Sequence, residues 1–289
     1  MPRSLIITAD DFGLSPEVNA AVQQAHREGI LTAASLMAAG SACEEAAAIA
    51  RENPDLDVGL HLTVCRGSSV LRPERLSGLA APDGRFPDNP LAAGLSYFFK
   101  RSLQGPLRDE LRAQIDRHLQ LIGRLDHIDG HLNFHVHPAV ADALMELCAE
   151  YHVPCMRLPR EPVFSTLALA RDHTVRKLYE SIIFRALSRR TGRLLAQRGI
   201  RTTSWLFGLH QSGHLTEDYV LGVIARLPEG LVEMYFHPAA DIGGSPPDAS
   251  NQRDLRILIS PAVHTALIER SVTRTNFAAI ARADFTSQA

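Results

Sequence analysis

Residues 4–13 read Ser-Leu-Ile-Ile-Thr-Ala-Asp-Asp-Phe-Gly, an apolar run that ends in two adjacent carboxylates. A short aliphatic run of this kind predicts a buried parallel strand, with Asp10 and Asp11 at its C-terminal end. Ser15 then provides an N-cap ahead of a proline, and apolar residues at helical spacing continue to Gly29. The stretch therefore predicts a strand, a loop and a helix in succession.

The same alternation of strand and helix patterns continues along the chain. Further strands are predicted near residues 31–38, 57–64, 153–158, 202–207 and 231–236, with helices between them. Such an order favours right-handed βαβ units around a parallel sheet, which is an α/β fold. A length of 289 residues is ordinary for one α/β barrel.

Composition places the chain among globular proteins, with 45% hydrophobic and 21% charged residues. A formal net charge of −2 and the lack of a dense Lys/Arg block argue against a nucleic acid partner. The N-terminus lacks a signal-peptide pattern, and no apolar stretch reaches the roughly 18 residues of a membrane span. Because the cysteines also lack paired spacing, we expect free thiols and a cytoplasmic protein.

Residues 128–138 read Ile-Asp-Gly-His-Leu-Asn-Phe-His-Val-His-Pro and concentrate three histidines. If the segment is extended, its polar and apolar side chains point to opposite faces. His131 and His135 would then lie roughly 13 Å apart, too far to share a metal ion. Either only one of them is a ligand, or the chain turns helical near Asn133. A third interpretation is that the rings only make hydrogen bonds.

Other ionisable residues also follow predicted strands, namely Asp10, Asp11, His61 and His237. Active sites of β/α barrels gather at the C-terminal ends of the strands, so one rim can collect these side chains. One Asp and two His ligands leave an open position for water, as hydrolytic metal sites require, and a second carboxylate can act as general base. Alternatively, the acid pair is a turn with an N-cap and His61 is a core histidine.

A long irregular insert is predicted at about residues 66–106, where proline and glycine are frequent. Within it, residues 91–103 carry Leu, Tyr and Phe in a short helical pattern. This helix either packs on the barrel wall or forms an apolar lid for an amphiphilic substrate. Residues 163–198 are helical in pattern and rich in arginine, which we interpret mostly as a solvated face.

Four motifs together resemble, in order and spacing, the YdjC-like carbohydrate deacetylase family over almost the whole chain. They are Ala9-Asp10-Asp11-Phe12-Gly13, Gly59-Leu60-His61-Leu62, Asp129-Gly130-His131 with His135 following, and Phe236-His237-Pro238. The resemblance implies a distorted TIM-like β/α barrel, here a single domain over residues 1–289. It also implies metal-dependent removal of an acetyl group from an N-acetylated amino sugar. One departure is Ala239, where the family often has glycine.

Roles are implied residue by residue. Asp11, His61 and His131 match the metal ligands of the family, Asp10 matches its general base, and His237 resembles its general acid. The ligand types suit one divalent metal ion, either Zn²⁺ or Mg²⁺, with Mn²⁺ and Co²⁺ as further options.

Two more residues are assigned to substrate binding. His135 matches a further family histidine that is either a substrate contact or an alternate ligand. Arg157 resembles, more loosely, an arginine that orients the catalytic Asp in related polysaccharide deacetylases.

One branch of the family shows a closer likeness. Residues 125–131, residues 135–138 and the Tyr97-Phe98-Phe99 insert resemble the hopanoid-biosynthesis-associated deacetylases. The implied substrate is an N-acetylglucosaminyl hopanoid, a lipid-linked sugar, with transient contact at the inner membrane surface. The alternatives are a deacetylase of soluble N-acetylated oligosaccharides, a phosphoester hydrolase, and a non-catalytic sugar- or lipid-binding barrel. The oligomeric state is left open.

Overall fold

A curled parallel β-sheet occupies the centre of the computed structural model, which describes residues 3–244 and 246–282. Its strands are β1 (Arg3–Phe12), β2 (Ala33–Leu36), β3 (Asp57–Leu62), β4 (Ile128–Gly130), β5 (Trp205–Phe207), β6 (Gly230–Phe236) and β7 (Thr273–Thr275). The strand order is β4-β3-β2-β1-β6-β5, with β7 also paired to β1, and all these pairs are parallel. The C-terminal ends of the strands therefore share one rim.

Helices follow most of the strands and pack against the sheet. They are α1 (Pro16–Glu28), α2 (Cys43–Glu52), α3 (Pro90–Phe99), α4 (Gln104–Ile122), α5 (Pro138–Glu150), α6 (Val163–Leu169), α7 (Thr174–Ala196), α8 (Glu217–Ala225), α9 (Ala249–Leu258), α10 (Pro261–Glu269) and α11 (Phe277–Arg282). Short 3₁₀ helices span Pro73–Arg75, Arg101–Leu103 and His131–Val136. None of the helices in the described ranges is both long and apolar enough to cross a membrane.

The first strand, loop and helix form as their sequence predicts. The aliphatic residues of β1 are buried because the strand has neighbours on both sides and helices above it. Ser15 caps α1 by accepting a hydrogen bond from the backbone N–H of Val18, and the following proline starts the helix. The predicted α/β class and the distorted TIM-like barrel are confirmed. The extent of one domain over residues 1–289 stays a prediction.

The predicted strand at residues 153–158 is wrong. Only isolated bridges form there, between Ile128 and Met156 and between Cys155 and Arg201. Prolines at positions 154 and 159 lack the N–H that a ladder needs, which explains the interruption. Just beyond, the backbone N–H of Leu206 donates to the carbonyl of Arg160 at 3.0 Å. This segment joins the two ends of the curled sheet without a full strand, which distorts the barrel.

The insert at about residues 66–106 is irregular, as predicted, and contains two of the 3₁₀ helices and α3. Glu110 of α4 fixes its first part by accepting hydrogen bonds from the backbone of Val70 and Leu71 at 2.8 and 2.9 Å. Tyr97 of α3 is buried, and its hydroxyl donates to the carbonyl of Val64 at 2.6 Å. The insert is thus attached to the chain that leaves β3.

Candidate metal centre and active site

Asp10 and Asp11 lie at the end of β1, where the strand is irregular. Adjacent residues of a regular strand point to opposite faces. Here the register between β1 and β2 shifts between Ala9 and Phe12, and Asp11 has a left-handed backbone with φ of 64°. A bulge of this kind redirects a side chain. Both carboxylates thereby come close to the same imidazole, that of His61.

His61 lies between two carboxylates at the end of β3. The parallel register of β3 and β4 puts His61 beside Asp129. Its Nδ1 atom is 2.7 Å from Asp129 Oδ1, and its Nε2 atom is 3.2 Å from Asp11 Oδ1. The Asp129 carboxylate therefore sets the orientation of the ring and turns Nε2 towards Asp11. Nε2 is buried and makes no hydrogen bond within the described part of the chain.

His131 is delivered by a tight turn after β4. The chain leaves the strand at Gly130 and forms a 3₁₀ helix, in which Leu132 and Asn133 have φ of 54° and 57°. The extended form of this segment is therefore wrong, and so is a regular helical turn at Asn133, because the backbone is left-handed and kinked at that residue. The Nδ1 atom of His131 lies 2.9 Å from Asp11 Oδ1. Donor atoms of Asp11, His61 and His131 all lie within 4.8 Å of one another.

Arg157 crosses the interior and contacts three carboxylates. Its Nη1 and Nη2 atoms donate to the two oxygens of Asp10 at 2.7 and 2.8 Å. Nη2 is also 2.9 Å from Asp129 Oδ2, and Nε donates to Glu233 Oε1 at 2.9 Å. Burial by itself lowers the pKa of Arg157, but the carboxylates of Asp10 and Asp129 outweigh it and raise that pKa well above its usual value. A buried cation thus holds Asp10 in place.

His135 and His137 do not join the three converging donors. His135 is fully buried, and its Nε2 atom lies 3.1 Å from the carbonyl oxygen of Arg157. Burial lowers the pKa of His135 to about 4, so the ring is neutral at pH 7 and donates from Nε2. The ring of His137 packs edge-on against Tyr97 of α3. In this geometry His135 supports the backbone of Arg157, and its predicted contact with substrate stays a prediction.

His237 follows β6 at the same rim. Ala9 and Phe236 are partners in the register of β1 and β6, so Asp10 and His237 come next on neighbouring strands. The backbone N–H of His237 donates to Asp254 at 2.9 Å, and its ring lies edge-on to Tyr235. Over residues 3–244 and 246–282, no hydrogen bond or ion pair links the His237 ring to the metal donors. The ring is half-buried.

The charges around His61 favour a cation. Burial alone lowers the pKa of His61, but Asp129 and Asp10 raise it to about 10. Burial raises the pKa of Asp11, yet the neighbouring imidazoles of His131 and His61 hold it well below its usual value. A proton on Nε2 or a divalent metal ion can neutralise this excess of carboxylates. With one carboxylate and two imidazoles converging beside an unbonded buried nitrogen, the donor set fits such an ion.

A second group of possible metal donors, Asp172, His173 and His214, is exposed to solvent. Asp172 already accepts a hydrogen bond from Lys177 at 2.9 Å. The group lies in loops beside α7 and α8 and was not predicted from the sequence. The buried set at the strand ends is therefore the better candidate for a catalytic centre.

Two residues of this buried cluster, Asp129 and Glu233, were not predicted as site residues. Asp129 belongs to the histidine segment. Its contact with His61 depends on the pairing of β3 with β4, which cannot be inferred from the local sequence. Glu233 interrupts the apolar run of β6 and is fully buried, where it accepts hydrogen bonds from Arg157 and Thr8. Its position inside an apolar strand could have indicated a buried ion pair, because acidic residues are rarely buried without a partner.

A family model described as YdjC-like protein matches residues 4–269. The chain belongs to this YdjC-like family. A Mus musculus protein named carbohydrate deacetylase is 30% identical to this YdjC-like chain, over 93% of the chain and 92% of that protein. A carbohydrate deacetylase of Brevibacillus brevis is 38% identical over 52% of this chain and 57% of that protein, so the match spans little more than half of either.

A solved structure supports the fold of the YdjC-like chain. It comes from Enterococcus faecalis, and its name assigns it provisionally to cellobiose-phosphate cleavage. The TM-score is 0.73 with 23% sequence identity, and the match covers 97% of this chain and 99% of that one. At this identity the likeness establishes the shared architecture alone.

Proposed function

We propose that this chain removes the acetyl group from an N-acetylated amino sugar, using one divalent metal ion held by Asp11, His61 and His131. The observation that carries the proposal is the convergence of these three donors beside Asp10, a carboxylate that Arg157 holds with two hydrogen bonds. Membership of the YdjC-like family and relatives named carbohydrate deacetylase support it. The chain is accordingly a hydrolase of the carbohydrate deacetylase type.

The reaction needs a base and an acid on this rim. Asp10 accepts a proton from the attacking water, whose oxygen bonds to the acetyl carbonyl carbon. The carbon–nitrogen bond then breaks, and His237 donates a proton to the leaving amine, so the products are acetate and the free amino sugar. When bound, the metal ion polarises the carbonyl and acidifies water.

Arg157 acts as a positioning residue for Asp10 in this scheme. Its guanidinium is nearly fully buried and already contacts Asp10, Asp129 and Glu233. Little of its hydrogen-bonding capacity remains for a substrate. The same observation disfavours phosphoester hydrolysis, because the arginine that would bind a phosphate is occupied by carboxylates.

We extend the proposal to a lipid-linked substrate, an N-acetylglucosaminyl hopanoid met at a membrane surface. The motif resemblance to that branch supports it, and so does α3. This helix exposes four large apolar side chains while its buried Tyr97 contacts the ring of His137, six residues after His131. The exposed residues are Leu91, Leu95, Phe98 and Phe99. Such a surface near the rim offers apolar cover for a lipid-bearing sugar.

Asp10 and Asp11 provide the test because they are adjacent carboxylates with different proposed roles. Purified Asp10→Asn is expected to keep its metal ion and lose acetate release by at least about 10²-fold. Asp11→Asn is expected to lose both, since a ligand is removed. Metal content and acetate release are measured together, with a soluble and a lipid-linked N-acetylated glucosamine as substrates.

Asp55→Asn is the matched control, because Asp55 is exposed and lies before β3. It should leave both properties unchanged. Full activity in Asp10→Asn would remove Asp10 as the base. If the metal-loaded protein bound the acetylated sugar but released no acetate, the chain would be a binding protein and not an enzyme.

A further inference from the structure

Helices α6 and α7 expose a second set of large apolar side chains. Five of them lie on α7, each three or four residues from another, so they form one stripe on the helix surface. Phe164 is 80% exposed, Val175 79% and Ile182 70%. The full set is Phe164, Val175, Leu178, Tyr179, Ile182 and Ile183. Single exposed apolar residues are common, but a contiguous group marks an interaction surface.

The opposite side of α7 is fixed to the protein. Lys177 is buried and donates to the carbonyl of Ala170 and to Asp172, both at 2.9 Å. Further along, the hydroxyl of Ser188 donates to the carbonyl of Pro159 at 3.1 Å, and Leu195 is buried. The helix is therefore held in place by its inner side, and the apolar stripe faces away from the core.

The exposed side of α7 is positively charged beyond the apolar stripe. Arg185, Arg189 and Arg193 are exposed and follow one another at intervals of four residues, so they continue the same side of the helix. None of the three forms an ion pair with any residue in the described ranges. The only acid of the helix, Glu180, lies 3.8 Å from Arg176. The face thus joins apolar side chains to uncompensated positive charge.

Helix α7 lies beside the candidate metal centre. Helix α7 contacts the 3₁₀ helix His131–Val136, which carries the proposed ligand His131 and the exposed Leu132. Helix α3, with its own exposed apolar residues, packs on α5, which also contacts α7. Residues 90–103 include no Asp or Glu, and two basic residues, Lys100 and Arg101, lie near the end of this segment. Two apolar and basic helices therefore flank the segment that forms the site.

We infer that the exposed face of α6 and α7 docks on the surface of a lipid bilayer that contains anionic headgroups. The apolar stripe enters the interfacial region, and the three arginines contact lipid phosphates. The inference rests on the proposed function, because it names the surface by which the enzyme meets a lipid-linked sugar.

Charge complementarity favours a bilayer over a second copy of the chain. In a two-fold dimer the same patch meets itself. Arg185, Arg189 and Arg193 of both copies would then share an interface to which the exposed face of α7 contributes no carboxylate. An anionic membrane supplies the missing negative charge at high density.

Co-sedimentation with vesicles tests this docking. The wild-type protein is expected to bind vesicles of phosphatidylcholine and phosphatidylglycerol about 100-fold more tightly than vesicles of phosphatidylcholine alone, and salt should weaken the binding. Val175→Ser with Ile182→Ser should abolish most binding to either vesicle. Replacing Arg185, Arg189 and Arg193 by Gln should remove the preference for the anionic vesicle, by about fivefold for each arginine.

Ile268→Ser is the matched control, because Ile268 is 66% exposed on α10 and carries the same side chain as Ile182. It should bind like the wild type. Every variant should keep the wild-type rate of acetate release from a soluble N-acetylated glucosamine, which separates this test from that of the proposed function. Wild-type protein that stays in the supernatant with anionic vesicles would overturn the inference. So would a dimer in light scattering that Val175→Ser with Ile182→Ser converts to a monomer.

Discussion

The rim of the barrel buries charged side chains, whereas three helices near it expose apolar side chains. At the rim, Asp10, Asp129, Glu233 and Arg157 are almost completely buried. On α3, α6 and α7, by contrast, ten large apolar side chains are exposed, of fourteen in the described part of the chain. Proteins usually do the reverse, because burying charge and exposing apolar surface both cost free energy.

The two regions differ in how this cost is offset. The buried charges compensate one another through Arg157, whose guanidinium bonds three carboxylates. The exposed apolar side chains are not covered by any part of the chain that the structure describes. Changes in the first region should therefore reduce stability as well as activity, whereas changes in the second should affect only interactions with other molecules.

The largest expected effect is on stability, from Arg157→Met. Removing this cation leaves Asp10, Asp129 and Glu233 buried without their partner, so we expect a loss of about 3–5 kcal/mol in the free energy of unfolding. Arg190→Met provides the matched control, since Arg190 forms an exposed pair with Asp142 and should cost about 0–1 kcal/mol. Urea denaturation of both variants measures the difference. Equal losses would show that the buried cluster is not the stabilising unit.

A smaller effect concerns His118, a buried ionisable group that has no ion-pair partner in the described residues. Burial lowers its pKa to about 4 in the folded protein, against about 6.5 when unfolded. The folded state therefore favours the neutral ring. The contribution of His118 to the free energy of unfolding is full above pH 6.5 and is lost as the pH falls from 6.5 to 4. Between pH 7 and pH 4.5, His118→Gln should remove roughly 2.5 kcal/mol of this pH dependence. Unfolding free energies of both proteins at pH 7 and pH 4.5 test this, and parallel slopes would contradict it.

The smallest effect is expected at the exposed residues of α3. Leu91→Ser with Phe99→Ser should lower the turnover of a lipid-linked N-acetylated sugar about 10-fold, since roughly 1–2 kcal/mol of apolar contact is lost. Turnover of a soluble analogue should not change, and stability should stay within about 0.5 kcal/mol of the wild type. Ile268→Ser on α10 is again the control. Equal losses on both substrates would remove the role of α3 in binding lipid.

Local patterns predicted the architecture well wherever the decisive interactions are close in sequence. The apolar run of β1, the N-cap of α1 and the prolines at helix starts act within a few residues. The strand predicted at residues 153–158 failed because two prolines removed ladder donors, although most of its residues are buried. The histidine segment failed as a strand because Leu132 and Asn133 adopt a left-handed backbone that apolar alternation does not reveal.

The sequence by itself determined the α/β class, the first strand, loop and helix, and the residue types of the candidate metal centre. Only the tertiary structure decided which of those residues meet. His61 pairs with Asp129 through the register of β3 and β4, and Arg157 reaches Asp10 across 147 positions of the chain. The tertiary structure also decided which side of α7 packs against the rest of the protein. Sequence periodicity shows that a helix has an apolar side, but it does not show whether another element packs on that side. Side-chain pairs and helix packing of this kind depend on contacts between residues that are distant in the sequence.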